Sequence, residues 1–462
     1  ALAILDNNQT ITLPLASMTW ARALINDNYL GPIPTSPKDL LKVGDVVYVQ
    51  YTADTWQLSQ VPLVSGAFVA LNPKDGAISA LMGGYDFRLS HFNRATQAYR
   101  QPGSNFKPFI YSAAFENGFT PASLINDAPV IFHDPSLEGV WRPQNDTRQF
   151  YGPTRLRIGL THSRNLVSIR LLEAVGINPT IQILKRFGFP EETLQRGLSL
   201  ALGTPNLKPI DMAAGYGTLA NGGFRITPYI IQKVGSRDEV LYEANPATAC
   251  PDCLTAQEKT DFPALDDANF EQKLFNSTAF SEEASSLEAS LHPKRPPAPR
   301  VLSPQTAYIM TSLLQDVIQT GTGKHASILG RKDLAGKTGT TNRQMDAWFS
   351  GYNQNIVATT WVGFDEPHSL KEYGAQAALP IWINFMGTIL KGVPEKPFDQ
   401  PQDIVTLEID PETGLLARPG QTNAIFEVFN KNTIPQEMAP EISLTPQVAI
   451  TPSGKSQTEA LF

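Results

Sequence analysis

Apolar and polar positions change their period several times along the chain, and the changes divide it. Over residues 1–62 the apolar runs are short and broken by turn residues. GDVVYVQYTADTWQLSQVP places aromatic and β-branched residues in alternation, which predicts half-buried strands of a small barrel or sandwich. At about residue 63 two continuous apolar runs flank Asn72-Pro73-Lys74-Asp75-Gly76, so GAFVALNPKDGAISALMGG predicts a hairpin. From residue 104 to about 240 the spacing is mainly helical, and NLVSIRLLEAVG and IDMAAGYGTLANGG each end in glycine. Residues 250–300 are acidic and serine-rich, then run into HPKRPPAPR, which predicts an insertion or mobile loop. SPQTAYIMTSLLQDVIQTG predicts an amphipathic helix opened by Ser303, and AGKTGTTN, DAWFSGY and IVATTWVGF predict three strands. ALPIWINFMGTILKG predicts a buried helix and DIVTLEIDPETGLLA another hairpin; from about 421 to 462 the pattern is that of a polar, poorly ordered tail. The expected fold is α+β. An antiparallel sheet drawn from both ends of residues 63–420 is flanked by helices and carries an inserted all-helical region.

Composition narrows the function classes. The chain of 462 residues is 42% hydrophobic and 18% charged, enough for more than one domain. A net charge of −7 does not favour a nucleic-acid partner. No run of about 18 apolar residues is present to span a membrane, and no signal peptide opens the chain. ALAILDNNQTITLPL reads as a strand entered midway, so the chain is expected to begin inside a larger protein. Cys250 and Cys253 form CPDC, half of a structural zinc site, which leaves a local disulfide or an incidental pair. The six histidines are scattered without H-E-x-x-H, so no metal and no cofactor are expected.

Three short elements carry candidate chemistry. In QPGSNFKPFIYSAAF, Ser104 stands at the front of an apolar helix with Lys107 three residues on, on the same face. Pro108 is tolerated in the first turn and Gly118 closes the helix. A serine needs a proton acceptor to become a nucleophile, and burial against aromatic side chains lowers a lysine's pKa toward that role. Ser163-Arg164-Asn165 precedes a second helix, and Lys337-Thr338-Gly339-Thr340 lies on a strand. Singly, each reads as a helix cap or a strand end. In this order and on these elements they match the S-x-x-K, S-x-N and K-T-G signature of serine acyl-transferring enzymes. Ser104 would attack a carbonyl and Lys107 take its proton. Ser163 would relay that proton, while Asn165 holds the substrate amide and braces Lys107. Lys337 would add positive charge, with Thr338 and Thr340 offering hydroxyls to a carboxylate. Gly339 would leave room for substrate along the strand edge, and the amides of Ser104 and Thr340 would form an oxyanion hole.

On these motifs, and on GAFVALNPKDGAISALMGGYDF, NRATQAYRQPGSNFKPFIY, SLALGTPNLKPIDMAAGYGTLANGG and AGKTGTTNRQMDAWFSGY, residues 66–420 resemble the transpeptidase domain of class A (bifunctional) penicillin-binding proteins. Residues 1–62 resemble the small OB-like domain beside it in the 1A type. The resemblance implies a peptidoglycan D,D-transpeptidase with a penicillin-binding/serine β-lactamase-like fold. Ser104 would be acylated by the D-Ala-D-Ala end of a stem peptide, and an amine of a neighbouring stem would resolve the acyl-enzyme. β-Lactams would be covalent inhibitors, and cell-wall synthesis proteins possible partners. It also implies the periplasmic face of the bacterial inner membrane, with an anchor and a glycosyltransferase domain before this point. Arg164 replaces the aspartate of S-D-N, and no glutamate motif follows Ser163, both unlike a class A β-lactamase. Glu173, Glu191 and Glu192 read as helix surface or helix start.

Other features read as structure. GTGKH at 321–325 lacks the glycine at Ile318 and the hydroxyl at His325 that a phosphate loop requires. His162 reads as a loop residue, Asp346-Ala347-Trp348-Phe349 as strand core, and Asp410-Pro411-Glu412-Thr413-Gly414 as a turn. A D,D-carboxypeptidase, a β-lactam-hydrolysing enzyme and a non-catalytic β-lactam sensor are the competing functions.

Overall fold

The computed structural model describes residues 1–26, 29–133, 140–251 and 295–441. Its centre is a five-stranded antiparallel sheet in the order Ala335–Thr340, Asp346–Tyr352, Val357–Gly363, Ser65–Leu71, Ile78–Met82. Two strands come from the front of the domain and three from the back, as the pattern predicts. The strand Asp346–Tyr352 is buried at all seven positions, which explains its nearly continuous apolar and small composition.

The sheet separates two apolar layers by the period-2 alternation of its side chains. Val69, Leu71, Trp348 and Tyr352 face a large core with the helices Lys107–Glu116, Pro209–Ala220 and Pro304–Gln319. Phe68, Ala70, Ala347 and Phe349 face the helix Leu379–Ile389, through Trp382 and Met386. That helix is buried along one side only; Ile381 on the other side is exposed. The central helix Lys107–Glu116 is buried at every position but Glu116 and is apolar all round, as expected of a core helix. Pro108 sits in its first turn, and Gly118 closes it at φ +86°. Ser303 caps Pro304–Gln319 by accepting from the Thr306 amide at 3.1 Å.

Three expectations are corrected. The inserted region is not all-helical: short ladders pair Leu124–Asp127 with Gly152–Arg155, Phe132–His133 with Val140–Trp141, and Lys233–Gly235 with Val240–Glu243. Strands of two to four residues are too short to show a period of their own. Ile404–Ile409 does not form its main hairpin with the residues just after it. Asp410–Gly414 is a turn, and the pairing partner is Ile425–Asn430, in the expected tail. That strand, IFEVFN, is mostly apolar but only six residues long within a polar, proline-containing stretch, and its Glu427 is buried among arginines. Residues 442–462 of the tail, most of the 250–300 insertion and Cys253 lie outside the described residues; Cys250 is disulfide-bonded.

Residues 1–62 form three two-stranded ladders, Leu2–Ile4 with Thr10–Thr12, Leu24–Asn26 with Tyr29–Leu30, and Tyr48–Thr52 with Thr55–Ser59. Ile11, Leu13, Met18 and Leu58 make a small core of their own.

Candidate active site

Ser104 lies on a 3-10 turn, Gly103–Phe106, that runs directly into the central helix. Backbone contact docks this turn against the strand Ala335–Thr340. Gly103 has φ +54°, and a Cβ there would lie 2.5 Å from the Thr340 carbonyl oxygen. A Cβ on Gly339 would lie 2.4 Å from the Pro102 carbonyl oxygen. The bare face of Gly339 therefore receives the Ser104 turn, while Ala335–Thr340 remains the end strand of the sheet, with its outer edge on the side away from Asp346–Tyr352. Asn105 fastens the two together: its Nδ2 donates to the Lys337 carbonyl at 2.8 Å, and its own carbonyl accepts from the Tyr216 hydroxyl at 2.7 Å. Gly339→Ala is expected to push the turn off the strand and slow acylation of Ser104 by roughly 10²-fold, the cost of an ångström-scale misplacement. Acylation kinetics with a β-lactam measure this, and a rate within threefold of the parent would refute the packing argument.

Lys107 is wholly buried. Its Nζ donates to the Ser163 carbonyl at 2.7 Å, the Ser163 Oγ at 3.3 Å and the Asn165 Oδ1 at 2.7 Å. Loss of hydration lowers its pKa to about 7, against the opposing pull of the Asp146 and Asp127 carboxylates. Ser104 Oγ has no hydrogen-bond partner among the described residues, and Ser104 is partly exposed. Ser163 takes a left-handed conformation, φ +57°, between the helices Leu156–Thr161 and Asn165–Val175. This sharp turn brings both its carbonyl and its hydroxyl to one amine.

The Asn165 amide is oriented by a loop twenty residues earlier. Its Nδ2 donates to the Gln144 carbonyl at 2.9 Å, which leaves Oδ1 to Lys107. Asn145, 4% exposed, accepts from the Asn165 and Leu166 amides at 2.8 and 3.3 Å and so caps that helix from outside it. Its Nδ2 donates to Asp127 Oδ1 at 2.8 Å and to the Gln149 carbonyl at 2.9 Å. Arg164, the departure from S-D-N, turns away from this group. Its guanidinium lies 3.7 Å over the Tyr151 ring and donates to Thr154 Oγ1 at 2.9 Å.

Lys337 is fully buried, and its Nζ donates to the Thr338 carbonyl at 3.2 Å. Burial and then the neighbouring charge of Lys107 hold its pKa well below the usual lysine value. The hydroxyls of Thr338 and Thr340 already have partners. Thr338 shares a hydrogen bond of 2.7 Å with Thr322, and Thr340 accepts from the Gly374 amide at 3.0 Å. Thr322 belongs to the GTGKH stretch, and its amide donates to the Thr161 carbonyl at 3.2 Å. That stretch therefore ties the helix leading into Ser163 to the Lys337 strand.

A cleft of about 560 Å³ opens over this assembly. Ser104, Asn165 and Thr340 stand on its walls with Arg142, Asp146 and Arg343, while Lys107 and Lys337 lie buried at its base. All eight residues singled out in the sequence thus belong to one neighbourhood. Asn105, Asn145, Asp146 and Thr322 were missed, because nothing in their local pattern marks them. Among the described residues no group of three or more His, Cys, Asp or Glu is placed to hold a metal.

Residues 66–386 match the penicillin binding protein transpeptidase domain, and residues 1–64 the penicillin-binding protein OB-like domain. The chain belongs to the penicillin-binding protein transpeptidase family, with an N-terminal OB-like domain and a mixed helix-and-sheet fold. Within that family it is similar to penicillin-binding protein 1A of Pseudomonas aeruginosa, at 47% identity over 91% of this chain and 52% of that protein. It is 38% identical to penicillin-binding protein 1A of Escherichia coli, over 95% of this chain and 55% of that one. A solved structure of penicillin-binding protein 1A from Haemophilus influenzae is 34% identical with a TM-score of 0.79, covering 95% of this chain and 62% of that chain. The chain spans about half the length of the curated relatives it matches.

Proposed function

We propose that this chain is a peptidoglycan D,D-transpeptidase that works through an acyl-enzyme on Ser104 and is inhibited covalently by β-lactams. The observation that carries the reading is the Lys107 amine. It is buried, satisfied by Ser163 and Asn165, and one helical turn from an unpartnered serine hydroxyl on the cleft wall. With its pKa near 7, Lys107 accepts the Ser104 proton as Oγ attacks the carbonyl of a D-Ala-D-Ala end. The amides of Ser104 and Thr340 and the start of the central helix receive the developing oxyanion. Ser163 hands the proton to the departing D-alanine nitrogen. An amine of a second stem peptide then takes the acyl group and Ser104 is restored.

Protonated Lys337 would supply positive field at the base of the cleft, against the burial and the Lys107 charge that disfavour its charged form. The hydroxyls of Thr338 and Thr340 keep the strand in place, and because Thr340 Oγ1 accepts from the Gly374 amide, its own proton is left to donate to a substrate carboxylate. Among the described residues the cleft lining holds no glutamate to prime a water, which argues against rapid hydrolysis of β-lactams. A role at the periplasmic face of the inner membrane belongs to the same reading; no helix among the described residues is long and apolar enough to cross a membrane.

The test is intact mass after mixing with benzylpenicillin, followed by peptide mapping. A persistent single adduct on Ser104, absent in Ser104→Ala, is expected. An adduct elsewhere, or one that survives in Ser104→Ala, would overturn the assignment, and fast turnover without an adduct would point to a β-lactamase.

A further inference from the structure

The cleft wall is strongly unequal in charge. Arg142, Arg148 and Arg343 line it, and Lys107 and Lys337 lie beneath. Asp146 is the one carboxylate among the described lining residues. It stands at the tip of a tight turn closed by the Arg148 amide donating to the Asn145 carbonyl at 2.9 Å. The base of that turn is fixed by the four side-chain hydrogen bonds of buried Asn145. Asp146 itself is exposed, and its carboxylate has no hydrogen bond or ion pair among the described residues. It lies near enough to Lys107 and Lys337 to act on both through space.

A rigid, solvated and unpartnered carboxylate beside the reacting serine has one evident use. The other charged side chains among the described lining residues, Arg142, Arg148 and Arg343, repel a cation, and the acceptor of a transpeptidation arrives as a primary ammonium. We infer that Asp146 is the residue that binds the acceptor ammonium and so sets the preference of the acyl-enzyme for an amine over water. The inference rests on the acyl-enzyme reading above and deepens it. Asp146 takes no covalent part. The acceptor nitrogen forms its bond to the acyl carbon and the bond from that carbon to Ser104 Oγ breaks. Of the two protons the ammonium loses, one returns to Ser104 Oγ through Lys107 and one goes to water. Trp141 also lines the cleft and offers an aromatic surface for the acceptor's carbon chain.

The test uses the whole chain and a thioester donor carrying an acyl-D-alanyl group. Two acceptors compete separately with water: Nα-acetyl-lysine, whose ε-amine is protonated, and methanol, which has no charge. Products are counted by chromatography and mass. In Asp146→Asn the ratio of aminolysis to hydrolysis is expected to fall about fivefold, the size of a partly exposed charge pair, while the methanolysis ratio holds. Asp146→Glu is expected to recover much of the amine preference. Equal falls for both acceptors would reduce Asp146 to a structural or field effect and overturn the inference. So would no fall in either, or a loss confined to hydrolysis, which would make Asp146 the base for water. A parent chain that transfers to methanol and not to Nα-acetyl-lysine overturns it as well. If the parent chain forms no Ser104 acyl adduct with the donor, the acyl-enzyme reading itself fails, an outcome distinct from all of these.

Discussion

Lys107→Ala is expected to slow acylation of Ser104 by β-lactams by ~10³-fold or more, a barrier increase of about 4 kcal/mol, within the range a positioned general base supplies. The alanine removes the proton acceptor and also leaves the Ser163 carbonyl and Asn165 Oδ1 without their shared donor. Lys107→Arg should fail nearly as badly, because a guanidinium stays protonated at any working pH. The pH profile of the parent chain carries the same argument with a defined sign. The base acts only when neutral, and burial brings the Lys107 pKa down to about 7. Acylation should therefore rise about tenfold per pH unit below that point and level off above it. The unfolded chain keeps its lysines near the ordinary value, so between pH 7 and that value the unfolded state binds more protons at this site. Stability then gains from rising pH across that window, since the folded pKa is the depressed one. Rapid-mixing kinetics with a chromogenic β-lactam from about pH 5 to 9 test both statements. A flat profile, or Lys107→Ala acylating within tenfold of the parent, would remove Lys107 from the mechanism.

The second large effect lies outside the cleft lining. Glu427, 1% exposed on the strand Ile425–Asn430, accepts from Arg157 Nε at 2.9 Å and from Arg155 Nη1 at 3.3 Å. Arg157 also reaches Asp316 at 2.7 Å on the helix Pro304–Gln319. Glu427→Ala would leave two largely buried guanidiniums with one carboxylate between them. Removing one partner from such a group costs ~3–5 kcal/mol, because the remaining charge stays buried and unpaired. Denaturant unfolding followed by tryptophan fluorescence should show that loss in the transition of the sheet domain. A change below about 1 kcal/mol would mean that water enters the cluster and repairs it. The two arginines bracket the start of the helix Leu156–Thr161, whose far end leads into Ser163. Slower acylation should accompany the lost stability.

Much of this was legible beforehand. The central helix, the hairpin at its N-terminal side and the three back strands of the sheet follow from apolar spacing and turn residues, which act over a few positions. The order of Ser104, Lys107, Ser163, Asn165 and Lys337 was visible for the same reason: each motif is short and sits at an element boundary. The strand Ile425–Asn430 was read as tail because its short apolar run is set in polar, proline-containing sequence, and the partners of its buried Glu427 lie some 270 positions earlier. The second demand on Gly339, that a bare face receive the Ser104 turn, was not visible because a strand read alone does not show the turn that closes on it.

The sequence by itself determined which side chains were available for acyl transfer and which local elements would hold them. Tertiary structure decided their chemistry. The depth of Lys107 in a core of distant helices moves its pKa; the Gln144-Asn145 loop decides which end of the Asn165 amide faces it. Desolvation and hydrogen-bond direction are properties of surroundings assembled from remote parts of the chain, and no pattern within a few residues encodes them.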